Sequence, residues 1–141
     1  MTVYRESDSL YNLCRVAKGL GELGCRYIMQ QLIDCIAYMH NIKGVVHMDI
    51  KAENVLIDKK MQILLVDFGY ASDKDITQLI KYRGSETYIA PEIIERKVYD
   101  GTKTDIFSLG VILFFITFAG LPFERARSTD EHFTLLRENK Y

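Results

Sequence analysis

The chain has 141 residues, 48% of them hydrophobic and 26% charged, which suits one globular domain with a sizeable core. Its 18 Lys and Arg against 19 Asp and Glu leave a net charge of −1. A balance so near neutral gives no pull toward nucleic acid or an anionic membrane, and neither is expected as a partner.

The first nine residues carry Arg5, Glu6 and Asp8, and no apolar signal core follows them. Residues 10–16 read as a short helix with Leu10, Leu13 and Cys14 on one side. Gly19, Gly21 and Gly24 punctuate the turn after it. They have the spacing of a G-x-G-x-x-G motif, but a helix precedes them where a strand is required, so they carry no nucleotide-binding reading. Ile28, Leu32, Ile33, Ile36 and Met39 recur at helical spacing. This predicts a long amphipathic helix over residues 25–40, closed by Asn41 and Gly44.

Short β-type runs follow at 45–46, 54–57 and 61–66. The polar turn Asp58-Lys59-Lys60 joins the last two into a hairpin. Residues 73–83 are polar without a period and read as loop. Pro91 opens a short helix over 91–96. The stretch 106–123 has no charged residue, but Gly120 and Pro122 break its far end. We therefore read 106–119, in a helix starting near Thr104, as a fully buried core helix and not a membrane span. Ser128 and Glu131 fit a capping box for a last amphipathic helix, with Phe133 and Leu136 inward. His40 and His132 are lone helical histidines without an assigned role. The expected fold is mainly α with small β-hairpins. Cys14, Cys25 and Cys35 are odd in number and sit among helical apolar residues. They read as buried free thiols, which points to an intracellular, reducing compartment, cytoplasm or nucleus.

Three motifs occur in order: His47-Met48-Asp49-Ile50-Lys51-Ala52-Glu53-Asn54, then Asp67-Phe68-Gly69, then Ala90-Pro91-Glu92. An Asp or Asn in a loop usually makes a turn or a cap. Turn chemistry does not require this order and these settings. The motifs resemble the catalytic loop, the metal-binding Asp-Phe-Gly and the end of the activation segment of eukaryotic-type protein kinases. The resemblance continues through Asp105-Ile106-Phe107-Ser108-Leu109-Gly110, like the start of the family's central buried helix. It covers the chain from about Val3 onward. Lys51, two residues after Asp49, and the hydroxyl of Ser85 in Gly84-Ser85-Glu86-Thr87-Tyr88 resemble the Ser/Thr class. Gly120-Leu121-Pro122-Phe123 is similar to calcium/calmodulin-type and related kinases.

The resemblance implies the chemistry. Phosphoryl transfer needs positioning and charge neutralisation more than covalent work. Asp49 would accept or orient the proton of the attacking hydroxyl, and Lys51 would offset charge at the γ-phosphate. Lys51, Glu53, Asn54, Leu56 and Asp67 would meet ATP, and the hard oxygens of Asn54 and Asp67 would hold Mg²⁺. Leu10 and Leu56 would floor the adenine. Ser85 would position substrate by bonding to Asp49 and Lys51. His47, Phe68, Gly69, Glu92 and Asp105 would be structural, with His47 packed beneath Phe68. The implied partner is a protein substrate with Ser or Thr hydroxyls.

Departures from the family pattern matter as well. Met48 stands where most regulated kinases have an Arg that pairs with a phosphorylated loop. The usual phosphorylated position falls on Lys81, which accepts no phosphate, so activity is expected to be independent of loop phosphorylation, Thr77 and Tyr82 included. Residues 1–141 are expected to be a partial kinase domain, running from the start of the helical lobe through the helix after the central one. The glycine-rich loop, its partner Lys of the Val-Ala-Ile-Lys type and the Arg that normally pairs with Glu92 are not in the sequence. Two main readings follow. One is a kinase active when complete. The other is a half-kinase that only docks partners, for instance on the surface left open by the missing lobe. A gene-model fragment is the third.

Overall fold

Ser9 opens the first helix: its hydroxyl accepts the Asn12 N–H at 3.2 Å, as a serine N-cap does. A computed structural model of the chain describes residues 8–74 and 84–140. Helix α1 (Leu10–Ala17) ends at Lys18 in the left-handed region, φ 57°. Gly19 follows at φ 95°, and a Cβ there would lie 2.7 Å from the carbonyl oxygen of Thr117. That glycine therefore serves a close approach to the far end of another helix, not a phosphate. Helix α2 (Glu22–Tyr38) starts before the apolar period does, because Glu22 suits a first turn. Its end widens into a π-helical turn, Met39–Lys43, closed by Gly44 at φ 66°; Asn41 lies inside the turn and does not close it.

Two small antiparallel sheets flank these helices. In one, β1 (Asp8–Ser9), β3 (Val55–Ile57) and β4 (Ile63–Leu65) lie in that order, with Leu56 opposite Leu64. The predicted hairpin is β3–β4, with shorter strands than its apolar run. Asn54 belongs instead to a 3₁₀ turn, Ala52–Asn54, and Met61 takes a left-handed φ of 61°. Asp58 organises the hairpin turn, its Oδ1 accepting the N–H of Lys60 at 2.8 Å and of Gln62 at 2.9 Å. In the other sheet, β2 (Val45–Val46) pairs with β5 (Ser72–Asp73), a partner that the polar stretch at 73–83 did not advertise. Residues 75–83 lie outside the described residues, and Thr77, Lys81 and Tyr82 with them.

Helix α3 is Pro91–Ile94, and helix α4 is Gly101–Phe118. Asp100 caps α4, accepting the Thr102 N–H at 2.9 Å, so the helix starts ahead of Thr104. It is not fully buried. Val111, Ile112, Phe115 and Ile116 are in the core, whereas Ile106 is 57% and Phe118 66% exposed. A run that is apolar all round does not disclose which of its faces is covered. By length and composition α4 could also cross a membrane, but its inner face is packed into the core. The last helix, α5 (Glu131–Arg137), is capped by Asp130 and not by Ser128. The Asp130 carboxylate accepts the N–H groups of Phe133, Glu124 and Arg125, which hold its pKa below the ordinary value. A carboxylate reaching three donors outcompetes the expected serine box. Phe133 and Leu136 do pack inward.

Leu10, Ile28, Leu32, Ile36, Ile112 and Ile116 tie α1, α2 and α4 into one core. Tyr11 stacks on Phe115 at 5.3 Å. The three cysteines are free, Cys14 and Cys25 buried and Cys35 half-buried. Burial first, and Cys25 second, push the Cys14 thiol up to about 11, so it is an unreactive core thiol at neutral pH.

Candidate active site

The loop after β2 carries the first motif, and α4 holds it from beneath. The Asp105 carboxylate is 1% exposed and accepts the backbone N–H of His47 at 2.8 Å and of Met48 at 2.9 Å. His40 Nε2 lies 2.8 Å from the same carboxylate. Met48 is thereby set in the left-handed region, φ 68°, which turns the chain just ahead of the buried Asp49. The His47 imidazole is buried, and burial pushes its pKa below 6.5 against the opposing pull of Asp105, the Val66 carbonyl, Asp49 and Asp67. A neutral ring satisfies both of its contacts. Nε2–H donates to the Val66 carbonyl at 3.1 Å, and Nδ1 accepts the Asp49 N–H at 3.3 Å.

The motif residues then converge. Lys51 Nζ donates to Asp49 Oδ2 at 2.8 Å and to the Ser85 hydroxyl at 2.8 Å. The Ser85 hydroxyl donates to Asp49 Oδ1 at 3.0 Å. Asn54 Nδ2 donates to the Asp49 carbonyl at 2.9 Å and to Oδ2 at 3.1 Å. Gly84 makes this closure feasible, at φ 99° with its Cα so close that a Cβ would sit 3.0 Å from the Met48 carbonyl. Asp49 is thus a buried carboxylate held by a cation, a hydroxyl and an amide.

The second motif follows β4. The Val66 N–H bonds to the Asn54 carbonyl at 2.9 Å, which puts the two motifs in register. Asp67 is exposed at φ 64°, with Oδ1 near the Gly69 N–H at 3.3 Å. Phe68 rests on His47 with ring centroids 4.8 Å apart. Asn54 and Asp67 carry the hard oxygen donors that Mg²⁺ would need. Because the Asn54 amide nitrogen is committed to Asp49, its amide oxygen is left for a metal, and Asp67 adds an exposed carboxylate. Glu53 is exposed and Leu56 half-buried beside this knot, while Glu92 is half-buried on α3. Leu10, expected at the adenine floor, has no exposed surface and belongs to the core.

Against this geometry, a family model described as "Protein kinase domain" matches residues 1–140. The chain belongs to the protein kinase family. Its curated relatives include CBL-interacting serine/threonine-protein kinase 17 of Arabidopsis thaliana, 45% identical over 79% of this chain and 27% of that protein. CBL-interacting protein kinase 1 of Oryza sativa subsp. japonica is 39% identical over 86% of this chain and 27% of that protein. A serine/threonine-protein kinase SIK3 homolog of Danio rerio is 35% identical over 88% of this chain but only 10% of that protein. This kinase chain therefore spans about a quarter or less of the length of these relatives.

Some contacts that hold this kinase site had no signal in the sequence. His40 and Asp105 lie 65 residues apart and share no motif. Ser108, read only as part of the central helix, donates to the Tyr88 carbonyl at 2.8 Å and ties α4 to the segment before Ala90. Arg125 reaches across to pair with Glu86, next to Ser85.

Proposed function

We propose that this chain is the catalytic, helical part of a Ser/Thr protein kinase domain, and that the complete protein transfers the γ-phosphate of ATP to Ser or Thr hydroxyls of proteins. The observation that carries the reading is the closed set of hydrogen bonds among Asp49, Lys51, Asn54 and Ser85. In this reading Asp49 receives the substrate hydroxyl, and its carboxylate takes or orients the proton as the oxygen approaches phosphorus. Lys51 moves from Ser85 to the transferring phosphate and offsets the charge that spreads over its oxygens. Asn54 keeps Asp49 oriented through its amide nitrogen and, with Asp67, would hold Mg²⁺. The ion supplies charge neutralisation at the phosphates when bound. Leu56 and Glu53 border the nucleotide. The three free thiols suit a reducing, intracellular location.

Residues 1–141 alone are proposed to transfer phosphate poorly. Positioning and preorganised charge supply most of this catalysis. In this reading the chain supplies one wall of a nucleotide cleft, and Leu64 and Phe68 are half-exposed. The same apolar wall suits a protein partner as readily as a second lobe, which is the ground for the docking alternative. The test is to assay the purified chain with Mg²⁺-ATP and a generic Ser/Thr substrate, alone and fused to an upstream nucleotide-gripping lobe. Asp49→Asn serves as the control in both. Transfer above control only in the fused form supports both proposals. Transfer above control by the lone chain sinks the second, and none in either form sinks the first.

A further inference from the structure

Outside the motif residues, a groove of about 710 Å³ lies between the Ser85 segment and the loop that leads into α5. Arg125, Arg127, His132 and Thr129 line it together with the acids Glu86, Glu124, Asp130 and Glu131. Thr129 is exposed, so its hydroxyl is open to an enzyme. Of these acids, Asp130 has its carboxylate committed to the N–H groups of Phe133, Glu124 and Arg125. The Arg125 guanidinium has a single carboxylate partner among the described residues, Glu86, and that pair is about half exposed at both ends. Glu86 is covalently next to Ser85, which bridges Lys51 and Asp49.

We propose that Thr129 is a phosphorylation site, and that its phosphate draws Arg125 away from Glu86 and loosens the Ser85 segment. The proposal deepens the kinase reading, because the segment it loosens closes that site. In the modifying step, Thr129 Oγ attacks the γ-phosphorus of ATP on a Ser/Thr kinase that accepts basic sequences. An O–P bond forms, the bond to the bridging oxygen breaks, ADP leaves, and the hydroxyl proton passes to that kinase's base and then to solvent. The product carries about two negative charges and three acceptor oxygens. It sits in the groove that Arg125 and Arg127 also line, and a phosphate binds a guanidinium more strongly than one carboxylate does. Arg125 turns to it and Glu86 is released. The segment keeps the Ser85 hydroxyl bonds to Lys51 and Asp49, the bond from the Tyr88 N–H to the Ser85 carbonyl at 2.8 Å and the Ser108 contact.

The experiment has a readout that needs no catalysis. The purified protein is treated with ATP and a kinase that phosphorylates basic sequences, and the modified residue is located by mass spectrometry against Thr129→Val. Amide hydrogen exchange of residues 86–88 is then compared between modified and unmodified protein. The same comparison is made in Arg125→Ala. Exchange is expected to rise about two- to fivefold on modification, the range of one exposed ion pair lost, and not to rise further in Arg125→Ala. Modification at Ser128 instead of Thr129, unchanged exchange, or the same rise in Arg125→Ala overturns the proposal. Because exchange is read without substrate, an inactive kinase site leaves this result intact.

Discussion

Asp105 accepts the backbone N–H of His47 at 2.8 Å across 58 residues of sequence, and this contact helps fix the catalytic loop to helix α4. The other carboxylate oxygen accepts Met48 N–H at 2.9 Å, so both oxygens face donors. An amide in place of the carboxylate would point an NH₂ at one of them.

Asp105→Asn is therefore expected to leave a buried donor unsatisfied and to cost roughly 2–3 kcal/mol. Urea unfolding should show a lower midpoint at unchanged slope. A midpoint equal to that of the parent would mean that Asp105 does not anchor the loop.

In a protein that includes the nucleotide-gripping lobe, Asp49→Asn should lower turnover by about 100-fold or more while ATP affinity changes little. Asp67→Ala should do the reverse in part, weakening the Mg²⁺-dependent binding of ATP. The two are separated by nucleotide titration beside steady-state rates. Near-normal turnover in Asp49→Asn, or an unaltered titration in Asp67→Ala, would remove the respective role.

Much of this site was legible because its residues are local. Asp49, Lys51 and Asn54 lie within one short stretch, and Asp67 follows two residues after strand β4, whose apolar run predicts it. The helices were legible for a similar reason, since α2 repeats its apolar residues at the helical period. Contacts between distant residues were not. Nothing near His40 announces Asp105, and nothing near Arg125 announces Glu86. The capping box at Ser128 failed because a spacing rule counts candidates within reach, while Asp130 had more donors in range. The exposed face of α4 was hidden for the opposite reason: its sequence has no polar side to betray it.

The His47 ring gives a pH dependence. Burial lowers its pKa from 6.5, so the unfolded chain takes up a proton at this residue at a higher pH than the folded one. Stability from this group is complete above pH 6.5 and falls as the pH drops through 6.5 toward the folded value. The stability advantage of the parent over His47→Gln should therefore shrink between pH 7 and pH 5. Thermal melts across that range would show it, and an advantage that grows on acidification would reverse the assigned direction.

The last prediction concerns Met48. In the kinase pattern this position is usually an Arg that reads a phosphorylated loop, but the Met48 side chain is 5% exposed and packs with Val46, Ile89, Ile93 and Tyr99. Thr104 Oγ1 donates to its sulfur at 3.5 Å, and a Cβ on Gly101 would come within 3.2 Å of that sulfur. The residue fills a space and presents no charge toward the activation segment. Phosphatase treatment of an active form should therefore leave its rate unchanged within about twofold, whereas loss of a required phosphate typically acts through new charge-assisted bonds of a larger size. Restoring the arginine is not expected to restore control. In Met48→Arg a guanidinium would enter an apolar cluster whose nearby carboxylates, Asp105 and Asp49, are already committed to the loop, at a cost of about 3 kcal/mol or more. Met48→Leu, close in volume, should cost less than about 1.5 kcal/mol. Rates before and after phosphatase, with unfolding midpoints of the two variants, check both halves. A large fall in rate traced to Thr77 or Tyr82, or a Met48→Arg protein as stable as the parent, would show that this position still serves a phosphate-reading loop.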